Sequence, residues 1–204
     1  MRQLLLDFTQ APAPTFANFV HGGNAELFHV LESAVAGRLA ERVVYMWGEK
    51  GAGKTHLVES FRAAVGPGRM PARKFVAIDD VERLGEAEQV ALFNDFNERA
   101  FAFLLVSASA APREVPIRRD LATRLATGLT YRVLPLTDEE KGAALAAHAR
   151  TRGFDLSGEV SAYLLKHARR DMGSLMAALD AIDRYSLETG RPVTVPLLKA
   201  AMQS

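Results

Sequence analysis

The residues whose types and spacing can do chemistry are Gly48, Glu49, Lys50, Gly51, Ala52, Gly53, Lys54 and Thr55. They fit the pattern Gly-x-x-x-x-Gly-Lys-Ser/Thr. Glycines admit torsions closed to other residues and let the backbone approach a ligand closely. Successive N–H groups at a helix start form a concave anion site. Lys54 has the reach for the outer phosphates of a nucleotide, and the Thr55 hydroxyl suits a magnesium shell. As a bare string this is a glycine-rich turn carrying Lys-Thr. Its setting says more. The apolar run Val43 to Trp47 precedes it and Leu57 to Phe61 follows, which reads as strand, turn and helix start. All eight residues, with His56 after them, are therefore cofactor-contact candidates for ADP or ATP with Mg2+.

A second chemical feature lies downstream. Lys74 to Ile78 is an apolar strand that ends in Asp79-Asp80. Alone, two aspartates after a strand make a turn. With a phosphate loop upstream, Asp79 is the candidate magnesium holder and Asp80 the candidate catalytic acid that positions water. The run Phe101 to Val106 is a further strand, closing in Ser107-Ala108-Ser109. A small polar side chain at such a strand end can sense the terminal phosphate, and Ser109 is the candidate; ordinary loop chemistry is the alternative. Phe16 and Phe19 either wall an adenine pocket or belong to the core; Phe19 is carried as a cofactor candidate.

These residues need a scaffold. Helical patterns run from Ala25 to about Leu39, with Asn24 as cap, from Lys54 to Val65 and from Glu86 to Ala100, with Val90, Phe93 and Phe96 inward. A short helix covers Arg118 to Leu125, and Tyr131 to Leu134 is another strand. From Leu136 the period is helical throughout. Thr137-Asp138-Glu139-Glu140 opens one helix, Ser157 a second and Asp171 a third, and Thr194 to Met202 forms a last. The expected organisation is an N-terminal peptide and linker at 1–14, an α/β nucleotide-binding domain with a parallel sheet at 15–135, and a small all-helical lid domain at 136–204.

At 204 residues, 49% hydrophobic and 24% charged, the chain can bury a real core. A net charge of +1 makes no global case for nucleic acid or an anionic membrane. The absence of cysteine excludes disulfide and thiolate chemistry and fits a reducing cytoplasm, the expected location. No apolar run spans a bilayer, and the N-terminus is too soon acidic for a secretory leader. The five histidines lack metal-ligand spacing. Gln3-Leu4-Leu5-Leu6-Asp7-Phe8, followed by the proline-interrupted Thr9 to Pro14, suits a docking peptide on a leash or a strand of its own domain.

The order of phosphate loop, Asp-Asp strand, polar strand end, arginine helix and helical lid resembles the AAA+ class. Within it the chain resembles the DnaA-like branch, and more closely the Hda family of regulatory inactivators. Thr15-Phe16-Ala17-Asn18-Phe19 resembles the segment that opens the initiator's nucleotide domain. Asp120-Leu121-Ala122-Thr123-Arg124-Leu125 resembles the Hda arginine-finger segment, with Arg124 as the finger in trans. Gln3, Leu4, Leu5, Leu6 and Phe8 resemble the family's sliding-clamp peptide, which favours docking. No DNA-binding helices follow the lid, which also points to the inactivators. The resemblance implies a protein that binds the polymerase III sliding clamp (beta) and ADP, and stimulates hydrolysis of ATP on the DnaA initiator, limiting re-initiation. DNA would be met only indirectly, its own ATPase would be weak or absent, and a homo-oligomer is allowed. The alternatives are a self-turning-over AAA+ loader or remodeller, or a DNA-binding initiator fragment.

Three departures stand out. Gly173 occupies the place of the lid arginine that contacts nucleotide phosphates in this class, which argues against efficient hydrolysis in cis. Ser109 stands where the initiator carries aspartate. Only Gly66 to Arg73 separates the loop helix from the Asp-Asp strand, where the family fits another strand and helix.

Overall fold

The computed structural model describes residues 13–66 and 75–202. The docking hexapeptide at 3–8 and the short connection at 67–74 lie outside the described residues. The chain divides into one unit from Pro14 to Pro135 and another from Leu136 onward.

Among the described residues, four parallel strands form the sheet of the first unit: β1 (Val43–Trp47), β2 (Phe75–Ile78), β3 (Phe103–Ala108) and β4 (Leu129–Arg132), in the order β2-β3-β1-β4. Helices α1 (Ala25–Val35), α2 (Lys54–Val65), α3 (Glu86–Asn97) and α4 (Arg119–Leu125) accompany it. The two central strands are buried on both faces, so they read as unbroken apolar runs. Side-chain alternation then sorts them. Val44, Met46, Phe103 and Leu105 meet Leu31 of α1 and Leu57 and Phe61 of α2. Val43, Tyr45, Leu104 and Val106 meet Leu92 of α3 and Leu121 and Leu125 of α4 on the opposite face. Each such side chain contributes roughly 1.5–3 kcal/mol by leaving water.

Several boundaries differ from the sequence pattern, each for a local reason. Helix α1 stops at Val35, not Leu39, because Gly37 takes φ +69° and the Arg38 N–H returns to the Ser33 carbonyl. Helix α3 stops at Asn97 because Arg99 adopts φ +55° and the Ala100 N–H bonds Asp95 O. Strand β3 therefore begins at Phe103 and runs to Ala108. Val90 is 36% exposed, whereas Gln89 and Leu92 are buried on the inner face of α3. Asn24 makes no cap bond. Its buried side chain instead pairs with the Leu134 backbone, accepting from its N–H at 2.7 Å and donating to its carbonyl at 2.9 Å.

The second unit consists of α5 (Asp138–Thr151), α6 (Gly158–His167), α7 (Met172–Thr189) and α8 (Val195–Met202). Thr137, Ser157 and Asp171 cap the first three by accepting from Glu140, Val160 and Ser174 N–H groups. Leu145, Leu164, Leu175, Leu179, Ile182 and Leu198 form their shared core. Arg152 ties α5 to Asp180 and Asp183 of α7. No helix among the described residues is long and apolar enough to cross a membrane.

Candidate functional site

Parallel α/β sheets bind ligands beyond the carboxyl ends of their strands, where the strand order reverses. Here the chain leaves β1 for the β2–β3 side and later returns to β4 on the other side of β1. The glycine-rich loop leaves β1 at that point. Gly51 and Gly53 take φ +85° and +102°, torsions that strain other residues. A Cβ on Gly48 would stand 2.5 Å from the Val133 carbonyl oxygen, so only glycine lets the loop pass beneath β4's end. The Lys54 ammonium is buried and donates to the carbonyls of Gly48 at 2.8 Å and Glu49 at 3.1 Å. Its charge is thus held inside the loop, among the N–H groups that open α2. Glu49 and Lys50 are exposed, and Glu49 lies 3.5 Å from Arg132.

Phe19 stands over Gly53, with one ring carbon 3.1 Å from the position of a Cβ there. It stacks on Phe28 and lies 5.4 Å from the His56 ring. The His56 Nε2 in turn lies 3.1 Å from Thr15 O. The segment that opens the unit is therefore tied to the glycine loop, and Phe19 and His56 are neighbours on its flank.

The acidic strand end meets the loop directly. Thr55 Oγ1 donates to Asp79 Oδ2 at 2.8 Å. Ser107 Oγ donates to the other carboxylate oxygen, Oδ1, at 2.5 Å, and accepts the Asp80 N–H at 2.8 Å. Asp80 itself adopts φ +49° and ψ +67°, a strained conformation for a non-glycine residue. Burial raises its carboxyl above the ordinary value, and the charges of Asp79 and Glu82 raise it further against Lys54 and Arg83. Ser109 is exposed and is not joined to Asp79; its N–H bonds Glu82 Oε1 at 2.8 Å. The serine that touches the acids is Ser107, which sequence reasoning passed over. The signal was available in the topology: β3 lies between β1 and β2, so its last inward polar residue stands between the loop and the acids.

Thr55 and Asp79 present oxygen donors 2.8 Å apart, the ligand chemistry that magnesium prefers. No cluster of three or more His, Cys, Asp or Glu side chains able to hold a metal exists among the described residues. Phosphate and water oxygens would therefore complete such a shell.

Arg124 lies apart from this cradle, on the last turn of α4. It is exposed, its guanidinium is 5.9 Å from the Phe93 ring centre, and it makes no ion pair among the described residues. Arg118 is engaged by Asp120 at 2.8 Å and by Glu86 at 3.7 Å. Gly173 falls in the first turn of α7. The neighbouring Arg170 donates to both oxygens of Asp138, and Arg169 lies 3.3 Å from Asp171.

Residues 138–202 match the family described as Hda, lid domain. The whole chain is similar in fold to domain III of the Thermotoga maritima replication initiation protein DnaA, with a TM-score of 0.71 at 20% identity over 97% of this chain and 96% of that one. Residues 138–202 thus match an Hda-type lid, and the chain shares its fold with DnaA domain III. AMPPCP-bound DnaA from Aquifex aeolicus aligns with a TM-score of 0.68 at 18% identity, over 86% of this chain and 66% of that one. The Thermotoga maritima RuvB Holliday junction branch migration motor aligns at 0.64 and 16% identity, over 95% and 72%. The chain thus spans about two thirds of the longer DnaA structure. Its parallel sheet with flanking helices has the fold seen in those AAA+ structures, and its helical unit matches the Hda lid family over residues 138–202.

Proposed function

We propose that this chain is a regulatory nucleotide-binding protein that stimulates hydrolysis of ATP held by the DnaA initiator. It would occupy the DNA-loaded sliding clamp through Gln3, Leu4, Leu5, Leu6 and Phe8, and so limit re-initiation of replication. The observation that carries this reading is Arg124: an exposed guanidinium on a short helix, resting on an aromatic ring and free of any carboxylate among the described residues. An arginine so presented suits charge that develops on a phosphoryl group outside its own molecule.

The chain's own cradle serves a resident nucleotide, ADP in preference to ATP. Lys54 and the N–H groups of Gly51 and of Gly53 to Thr55 hold its phosphates, and Phe19 and His56 flank it. Thr55 and Asp79 would hold magnesium, which when bound neutralises phosphate charge. Asp80, next to Asp79 at the strand end, would orient water. Gly173 supplies no cation at the position where the class uses arginine, which leaves turnover in cis weak.

A second reading, an AAA+ loader or remodeller with its own turnover, is favoured by the intact set of Lys54, Thr55, Asp79 and Asp80. One assay separates the two. The chain is incubated alone with ATP, then with ATP-loaded initiator and clamp on DNA. The regulatory reading expects hydrolysis of initiator-bound ATP and no appreciable turnover alone. Turnover alone near about one per second, the low end of ordinary enzyme rates, would favour the motor.

A further inference from the structure

The geometry points to Gln89 as a positioning residue that couples the chain's own nucleotide site to the helix carrying Arg124. The inference rests on the reading of Arg124 as a finger.

Gln89 lies on α3 and is 8% exposed. Its amide nitrogen donates to Leu84 O at 2.9 Å, and its amide oxygen accepts the Arg118 N–H at 2.8 Å. Leu84 ends the 3₁₀ turn Val81–Arg83, which begins immediately after Asp80. Arg118 is the residue that opens α4, and Arg124 lies in the last turn of that helix. One buried side chain therefore bridges the turn after the acids and the start of the finger helix. Glu82, in the same turn, adds a second strut by accepting the Ser109 N–H in the loop that leads to α4.

The bridge has the properties a coupling element needs. Its input end is strained: Asp80 holds a left-handed conformation with its N–H on Ser107, so a change at Asp79 and Ser107 shifts the turn. Its middle is a neutral amide bonded at both ends and shielded from water, so releasing either end leaves a buried polar group unpaired. Leu121 and Leu125 seat α4 on the core without fixing its polar start, and the other polar ties there, Arg118 to Asp120 and Glu86, are exposed ion pairs that water and salt weaken. Nucleotide bound at Thr55 and Asp79 thus sets the placement of Arg124 through Leu84, Gln89 and Arg118.

The test compares the full-length wild type with Gln89→Met, which keeps side-chain length and removes both bonds. Amide hydrogen exchange over residues 119–125 is followed with and without ADP. We expect ADP to alter exchange there in the wild type. In Gln89→Met, ADP should bind with unchanged affinity and leave that exchange unaltered. In the initiator assay, kcat should fall about tenfold with the half-saturating concentration unchanged, the mark of lost positioning. A persisting ADP response in residues 119–125, or an unchanged kcat, would overturn the coupling. If Gln89→Met does not fold, Gln89→Glu keeps the acceptor for Arg118 and loses the donor to Leu84. It should also lose the ADP response, and a wild-type response would again overturn the proposal. Arg124→Ala separates the two readings: if it stimulates normally, the finger assignment falls while the exchange experiment still decides Gln89.

Discussion

The hydroxyl of Ser107 donates to the carboxylate of Asp79 at 2.5 Å, and the same oxygen receives the Asp80 N–H. One fully buried serine therefore orients the magnesium-holding candidate and stabilises the strained backbone of the water-positioning candidate. Ser107→Ala would leave the Asp80 N–H without its acceptor. It should destabilise the fold by about 1–3 kcal/mol, the range for an orphaned buried donor. It should also weaken MgADP binding about tenfold. Chemical denaturation and calorimetric titration measure the two effects; wild-type values for both would show that Ser107 has no such role.

Asp80→Asn should stabilise the isolated protein at neutral pH. The folded carboxyl value is raised, so the native state binds the proton more tightly than the unfolded chain. Stability then falls as pH climbs from the ordinary carboxylate value through the raised one. Removing the charge removes that loss, so the gain should be present near pH 7 and vanish in acid. Melting temperatures of both proteins across pH 3–8 check the sign.

Glycine substitutions in the loop should separate by mechanism. Gly48→Ala drives a methyl against the Val133 backbone, which cannot turn aside, and should cost more than about 2 kcal/mol. Gly51 has open space around it but φ +85°, so Gly51→Ala should cost about 1 kcal/mol. Urea denaturation of the two variants gives the order; equal losses would contradict this account of the loop.

Much of this scaffold was legible because parallel strands and phosphate loops leave local marks. The apolar runs at Val43–Trp47 and Phe103–Ala108 and the glycine spacing between them need no tertiary information. The caps Thr137, Ser157 and Asp171 announce themselves by residue type next to a helical period. What stayed hidden depends on contacts across the sheet. Ser107 and Ser109 look alike in sequence, and only the strand order and the two-residue shift of β3 choose between them. Asn24 has the type of a helix cap, but its amide matches a backbone unit and pairs with Leu134, 110 residues away. Gln89 is polar at a buried position, and nothing local signals its two backbone partners. Arg99 closes α3 without the glycine that normally marks such an end.

In the lid, Asp171→Ala should remove the cap of α7 and cost about 1 kcal/mol. Burial acts to raise the Asp171 carboxyl, but the backbone and hydroxyl of Ser174 and the charge of Arg169 outweigh it and hold the value below the ordinary range. Its contribution is therefore present above the ordinary value and lost as pH falls through the depressed one. Thermal melts at pH 7 and pH 3 should show the variant's deficit shrinking in acid.

The central claim is that a nucleotide cradle shapes a surface offering Arg124 to a phosphoryl group on another protein. The most direct measurement is the rate at which clamp-loaded chain converts initiator-bound ATP to ADP, for wild type, Arg124→Lys and Arg124→Ala. Fold, clamp binding and ADP affinity are measured alongside. We predict that both variants keep those three properties and that Arg124→Ala loses stimulation by at least about a thousandfold, as for an arginine finger in trans. Stimulation by Arg124→Ala at the wild-type rate would contradict the account.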